Sequence, residues 1–151
     1  LCAANGAKSQ DLVTIINHIS KAEVMCRAES IHSHPEKKSK FRSGGNCFSR
    51  ALNAVSEEIR NIDTGYTPVV LFMSDGGCGD GEAEITEMPK EFEHLGIQIF
   101  LIGFSEGCSQ KKMQTMTGLC GGSYFYGADG VTLMSEFENI SVRISGPASL
   151  K

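Results

Sequence analysis

Apolar residues recur at steps of three and four in four segments of the chain, and this spacing predicts four amphipathic helices. The segments are 48–62, 85–95, 113–119 and 131–144. Asn46 or Ser49 is placed to cap the first helix and Asp129 to cap the last, because short polar side chains accept hydrogen bonds from the free N–H groups of a first turn. Gly96 is placed to end the second helix. In the last helix the residues expected to face inward are Val131, Leu133, Phe137, Ile140 and Ile144.

Short continuous apolar runs lie between these helical segments, at 69–73, 97–102 and the aromatic 123–126. Such runs are typical of parallel strands that helices cover on both faces. Three strand-then-helix units in succession call for right-handed crossovers. The pattern therefore predicts an α/β fold of three layers around a doubly wound, mostly parallel sheet, formed by one domain over residues 1–151.

The first third of the chain is less regular. A further amphipathic helix is predicted by four apolar positions, Leu12, Ile15, Ile16 and Ile19. Residues 22–31 alternate weakly between apolar and polar, which predicts an edge strand or a hairpin. The polar stretch 33–43, with its basic side chains, is typical of an exposed loop.

Composition excludes several classes of function. Lys and Arg number 14 against 18 Asp and Glu, a net charge of −4, so the excess positive charge that nucleic-acid binding needs is lacking. The longest apolar run, 69–73, falls far short of the roughly 20 residues that cross a bilayer, and membrane insertion is not expected. The 6 cysteines are scattered without a C-x-x-C pair, which favours an intracellular, cytoplasmic setting over a disulfide scaffold.

The loop at 74–81 carries the most informative chemistry. Asp75 directly follows a predicted buried strand, and ligands of open parallel sheets bind beyond the carboxyl ends of the strands. The spacing alone fits a metal, phosphate or partner site as well as it fits a turn or helix-cap role for Asp75. The loop lacks G-x-G-x-x-G spacing, because Glu82 stands at the third position, and no Gly-Lys-Ser/Thr occurs. Nucleotide binding is therefore disfavoured.

Residues 103–107 form a literal G-x-S-x-G sequence between a predicted strand and a predicted helix, where α/β-hydrolases place a nucleophilic serine. In that fold the histidine that activates the serine comes later in the chain, but every histidine here precedes Ser105. A turn with glycine at both corners explains the segment without catalysis. The alternative to a binding function is thus a small serine hydrolase using Ser105, or a phosphate-handling enzyme using the loop 76–81.

Three segments, in this order of elements, resemble the von Willebrand factor type A (vWA) domain family: GGNCFSRAL at 44–52, SDG at 74–76 and IQIFLIG at 97–103. The resemblance extends from about Asn5 to Ile144. It implies a doubly wound, Rossmann-like sheet and a non-enzymatic module that binds other proteins. Many members carry a metal-ion-dependent adhesion site (MIDAS) at the carboxyl end of the sheet. That site joins a D-x-S-x-S motif after the first strand, a threonine in a Gly-Gly-Thr segment and the aspartate of an Asp-Gly segment.

Carried over by position, Asp75 stands at the Asp-Gly position and would reach the ion directly or through water. Asn46 stands where the threonine is expected, and the D-x-S-x-S motif does not occur in this sequence. Either the first strand is not part of this sequence or the site has degenerated, and both interpretations stay open. Because magnesium prefers an octahedron of oxygen ligands, these two residues imply weak or absent Mg²⁺ binding.

The resemblance also implies a partner-binding face on the loops at this edge of the sheet. The partner would be another protein or another domain of the same chain. The residues expected on this face are Gly45, Asn46, Asp75, Gly76, Gly77, Asp80, Ser105 and Glu106.

Overall fold

The computed structural model describes residues 11–33, 44–62 and 65–145. Within these ranges, the strands and α-helices in chain order are β1 (Leu12–His18), β2 (Ala22–Ser30), α1 (Phe48–Arg60), β3 (Val69–Ser74), α2 (Glu82–Glu91), β4 (Gln98–Phe104), α3 (Gln110–Cys120), β5 (Ser123–Gly127) and α4 (Gly130–Ser145). The start of the vWA resemblance, at 5–10, and most of the polar stretch 33–43 lie outside the described residues.

Strands β3, β4 and β5 form a parallel sheet in that order, with Val69 of β3 opposite Gln98 of β4. This confirms the α/β class and the parallel strands predicted from the continuous apolar runs. Leu101 and Ile102 are adjacent in β4 and therefore point to opposite faces of the sheet, yet neither is exposed at all (0% each). The central strand is thus buried on both faces.

The helix predicted at 12–19 is wrong, because this segment forms the strand β1. It pairs antiparallel with β2, with Leu12 opposite Ser30. The sequence LVTII at 12–16 is rich in β-branched residues, whose stiff side chains pack well on a pleated surface. A short apolar run fits either period, and here strand pairing decided the outcome. The edge strand or hairpin predicted at 22–31 is confirmed by β2.

Apolar side chains are buried in two clusters, one on each side of β4. The larger cluster packs α1, α2 and α3 against the sheet and includes Phe48, Leu52 and Met113. The smaller cluster packs α4 against the other face and includes Phe125 and Ile140. Because β3 ends between these packed layers, the residues that follow it are held at one edge of the sheet.

The expectation that Val131 faces inward is wrong, since it is 78% exposed. Leu133, two residues later, packs against the smaller cluster. Residues two apart on a helix point to nearly opposite sides, so the two cannot share the buried face. The steps from Leu133 to Phe137, Ile140 and Ile144 keep those side chains on one face, as predicted.

Two of the predicted helix ends are confirmed. Gly96 has φ +68° and follows the short 3₁₀ turn Glu93–Leu95 after α2, and Asp129 caps α4 by accepting a hydrogen bond from the Thr132 N–H at 2.9 Å. In the three described ranges, no helix has the length and apolar character needed to cross a membrane.

Candidate functional site

Three loops lie together at the carboxyl end of the parallel sheet, and we call them the rim: 44–47 before α1, 75–81 after β3 and 105–109 after β4. A Cβ built on Gly76 would overlap the Asn46 amide, so the first two loops are in contact. A Cβ on Gly107 would lie 3.1 Å from the Asp75 carbonyl oxygen, so the third loop packs against the second. Close packing of glycines thus joins the three loops into one surface.

The two residues expected to bind a metal are neighbours on this surface. Asp75 is exposed and is the first residue beyond β3, whereas Asn46 is half-buried beside Gly76. Among the described residues, no group of three or more His, Cys, Asp or Glu side chains is arranged to hold a metal ion. One carboxylate and one neutral amide leave most of an octahedral magnesium shell unfilled, so the residues present do not fit the ion by themselves.

Asp80 caps α1, although it lies more than thirty residues later in the sequence than the start of this helix. Its Oδ1 accepts hydrogen bonds from the N–H groups of Phe48 at 2.9 Å and Ser49 at 3.2 Å. The N-cap residue Cys47 provides no side-chain cap of its own to the helix. The prediction that Asn46 or Ser49 caps α1 is therefore wrong. A carboxylate from another loop satisfies these N–H groups, and nothing in the local sequence signals a contact across more than thirty residues.

Two thiols complete the hydrogen bonding of the Asp80 carboxylate. Cys78 donates to Oδ1 at 2.8 Å and Cys47 donates to Oδ2 at 3.3 Å. Hydrogen bonds from these groups lower the pKa of Asp80 from 3.8 to about 2, although burial acts in the opposite direction. The Cys78 thiol has the largest effect, and smaller effects come from the Ser49 N–H, the Cys47 thiol and the Phe48 N–H. A carboxylate held by four donors is an anchor between the loops of the rim.

Ser105 has a strained backbone, with φ +67° in the left-handed region. Its N–H donates to the Gly127 carbonyl at 3.0 Å, and its carbonyl accepts from the Tyr126 hydroxyl at 3.2 Å. A strained serine is a feature of nucleophile elbows, but in the described part of the chain no histidine donates to or accepts from the Ser105 hydroxyl. The strained turn is therefore held by two hydrogen bonds to β5, one from the Ser105 N–H and one from the Tyr126 hydroxyl.

Cys108, on the third loop of the rim, is buried. Burial raises the pKa of the Cys108 thiol, which keeps it neutral at physiological pH. The cysteines of the described ranges form no disulfide; they are Cys26, Cys47, Cys78, Cys108 and Cys120.

Of the other residues expected on the partner face, Gly45, Gly77 and Glu106 are exposed on the rim. Gly76 and Ser105 are half-buried. The structure thus places all eight expected residues on the three rim loops, while Asp80 has its carboxylate turned to α1.

No protein-family model matches this sequence, and no curated protein matches it by sequence. Solved structures do share its fold. Proximal thread matrix protein 1 from the mussel byssus, with a zinc-occupied MIDAS motif, is similar over 93% of this chain and 37% of its own, with a TM-score of 0.72 and 15% identity. A von Willebrand factor type A structure from Catenulispora acidiphila is similar over 92% of this chain and 35% of its own, with a TM-score of 0.69 and 16% identity.

The chain therefore spans about a third of the length of the solved chains that it matches. Sequence identities of 15% and 16% indicate a shared fold but do not indicate a shared activity. The parallel sheet, the helices on its two faces and these similarities together show that the chain has a von Willebrand factor type A-like fold.

Proposed function

We propose that this chain is a non-enzymatic protein-interaction module of the adhesion or scaffold type. It binds a protein partner, or another domain of the same polypeptide, through the rim. The observation that carries the proposal is the convergence of three loops around the exposed Asp75 at the carboxyl edge of a vWA-like sheet. The proposed partner-facing residues are Gly45, Asn46, Asp75, Gly76, Gly77, Ser105 and Glu106, with Asp80 as the group that holds them in place.

The proposal includes weak or absent metal binding. Asp75 and Asn46 offer two oxygen donors, and a partner's acidic group would have to supply more for an ion to be held. Calorimetric titration of the chain with Mg²⁺, Mn²⁺ and Zn²⁺ tests this, with Asp75→Ala as the comparison. We expect equal, small heats for both proteins; tight binding lost in Asp75→Ala would contradict the proposal.

We also propose the finer architecture: three layers around a doubly wound sheet, with the first strand of the vWA pattern not among the strands of the described residues. Two core clusters, one on each side of β4, support the three layers. Among the described residues, β1 and β2 form a sheet of their own beside β3-β4-β5, and this separation supports the proposal. A cytoplasmic, reducing location remains part of the proposal, and the free thiols described above are compatible with it.

Site-specific photo-crosslinking tests the partner face. A benzoylphenylalanine at exposed position 106 on the rim should capture a protein from an extract of the source cells, whereas the same group at exposed position 138 on α4 should not. Adding Asp75→Ala should lower the yield at position 106 about tenfold, the effect of removing one central interface side chain. Equal capture from both positions, or capture unaffected by Asp75→Ala, would contradict binding at the rim.

The enzymatic alternative has its own test. Turnover of p-nitrophenyl acetate or p-nitrophenyl phosphate that disappears in Ser105→Ala would identify a hydrolase and overturn the non-enzymatic proposal. We expect no turnover above the buffer rate, because no histidine is bonded to the Ser105 hydroxyl among the described residues.

A further inference from the structure

Two cysteines from different loops of the rim meet at one carboxylate. Cys78 donates to Oδ1 of Asp80 at 2.8 Å, and Cys47 donates to Oδ2 of the same side chain at 3.3 Å. The Cys78 sulfur also lies 3.1 Å from the Asn46 carbonyl oxygen, which belongs to the peptide bond that precedes Cys47. The fold therefore brings together two thiols that are distant in the sequence.

The contact with Asn46 limits the distance between the two cysteines. In a planar trans peptide, the carbonyl oxygen of one residue lies about 2.8 Å from the Cα of the next. Since the Cys78 sulfur is 3.1 Å from the Asn46 oxygen, it is at most about 6 Å from the Cα of Cys47. Disulfide-bonded cysteines have Cα atoms about 4.4–6.8 Å apart. Rotation of the two side chains, with a small shift of the loops, therefore brings the sulfurs within bonding distance.

Exposure separates this pair from the other cysteines of the described ranges. Cys47 and Cys78 are half-buried, and the two neighbours of Cys78 in the chain, Gly77 and Gly79, are exposed and carry no side chain that shields its thiol. The three buried cysteines are Cys26, Cys108 and Cys120. Because susceptibility to oxidation follows exposure, an oxidant in solution reaches the paired thiols more readily than the buried ones.

We propose that Cys47 and Cys78 are a reversible redox pair, which a low-molecular-weight disulfide such as oxidised glutathione converts to a disulfide between two loops of the rim. One cysteine attacks a glutathione sulfur and releases one reduced glutathione, and the second cysteine attacks the mixed disulfide and releases the other. The protein gives up two electrons and two protons, and one glutathione disulfide becomes two thiols. The pair is a site beyond the proposed function, since it forms whether or not the rim binds a protein.

Oxidation changes the contacts of the rim. The disulfide removes both S–H donors from Asp80, which keeps its two hydrogen bonds from the backbone of α1. It also ties together two loops at positions next to the proposed partner face, because Cys47 follows Asn46 and Cys78 follows Gly77. The reduced and oxidised chains therefore present different rims.

Peptide mapping tests the pair directly. Trypsin places Cys47 in the peptide 43–50 and Cys78 in the peptide 61–90, and neither peptide contains another cysteine. After the folded chain is incubated with oxidised glutathione, we expect the two peptides to be joined, with a mass two hydrogens below their sum. Dithiothreitol should separate them again. Linkage of either peptide to one that contains another cysteine, in place of this linkage, would overturn the proposal.

Serine variants test whether the two thiols act as a pair. Cys47→Ser and Cys78→Ser each keep a hydroxyl donor for Asp80, so the hydrogen bonding of the rim is retained. The cysteine that remains has no partner to displace glutathione. Its mixed disulfide should therefore accumulate to at least about tenfold the level found at the same position in the wild type. Equal levels in the wild type and both variants would show that the thiols react separately, which overturns the proposal.

A comparison with the unfolded chain tests whether the fold creates the pair. The ratio of disulfide to dithiol is measured by peptide mapping at one composition of a glutathione buffer, with and without concentrated urea. We expect the ratio to be at least about tenfold higher in the native chain, because folding raises the effective concentration of one thiol near the other. Equal ratios, or a disulfide that forms only with loss of the native circular dichroism spectrum, would overturn the proposal.

Discussion

Replacing Asp80 by asparagine tests how the rim is anchored. The carboxylate accepts hydrogen bonds from Phe48, Ser49, Cys47 and Cys78, and these contacts lower its pKa from 3.8 to about 2. Asp80→Asn keeps the shape of the side chain and one carbonyl oxygen. It removes the negative charge beside the positive end of the α1 dipole and the second acceptor oxygen. We therefore expect the variant to fold with lower stability.

The pKa difference sets the size of the effect. A pKa lowered from 3.8 to about 2 corresponds to at most about 2.5 kcal/mol at neutral pH. Asp80 is only half-buried, and solvent screening reduces this value to about 1–2 kcal/mol. Loss of a helix cap costs a similar amount, about 0.5–2 kcal/mol. The free energy of unfolding should therefore fall by about 1–2 kcal/mol in Asp80→Asn at pH 7.

The pH dependence gives this prediction its sharpest test. Because the folded pKa of Asp80 is the lower one, its stabilisation is complete above the unfolded pKa of 3.8 and is lost as the pH falls towards 2. About half should remain at pH 3, so the difference between wild type and Asp80→Asn should narrow between pH 5 and about 3.

Urea unfolding followed by circular dichroism at several pH values measures this difference. Glu106→Gln is the matched control, since it removes a carboxylate from the exposed part of the rim. A difference between wild type and Asp80→Asn that is absent at pH 7, or that stays constant as the pH falls, would refute the assignment of Asp80 as a charged cap.

Three further substitutions test the packing and the backbone, each by urea unfolding at pH 7. Leu101→Ala, at a position with 0% exposure, should lower the free energy of unfolding by about 2–5 kcal/mol. Leu119→Ala, at 43% exposure, should lower it by less than about 1 kcal/mol. Similar losses in the two variants would place Leu101 outside the core. Gly81→Ala should lower the free energy of unfolding by about 2–4 kcal/mol, because φ is +98° and the added Cβ would lie 2.7 Å from the Cβ of Phe48. An unchanged urea midpoint would contradict this packing. Ser105→Gly should raise the free energy of unfolding by about 0.5–1 kcal/mol, because glycine adopts the left-handed backbone of this position without strain. Ser105→Ala should not raise it. Equal urea midpoints for the two variants would argue against strain at this position.

The sequence predicts those parts of the fold in which one periodicity explains a long segment. The steps of three and four in α1 and the continuous apolar run of β4 each have one structural solution, and both elements occur where expected. The exposed position of Asp75 follows from the same logic, because a residue directly after a buried parallel strand lies at the carboxyl edge of the sheet.

The sequence-based predictions fail where the local structure depends on contacts with residues that are distant in the sequence. The run at 12–16 is short enough for a helix or a strand, and pairing with β2 decides between them. The cap of α1 comes from Asp80, more than thirty residues away, and no rule based on neighbouring residues identifies it.

The glycines of 76–81 would suggest a loose loop, but its contacts indicate a rigid one. At one end it is continuous with β3, and at the other Asp80 bonds to the first turn of α1. Between these points Gly76 packs on Asn46 and Gly77 on Ser109. Gly76 and Gly81 leave no room for a side chain, because a Cβ would overlap Asn46 Nδ2 in the first case and lie 2.7 Å from Phe48 Cβ in the second, whereas Gly79 faces open space. A surface fixed in this way loses little conformational entropy when a partner docks, which favours binding. Under the proposed function, Asp80 would therefore act indirectly, by holding the loop that presents Asp75, while its own carboxylate faces α1.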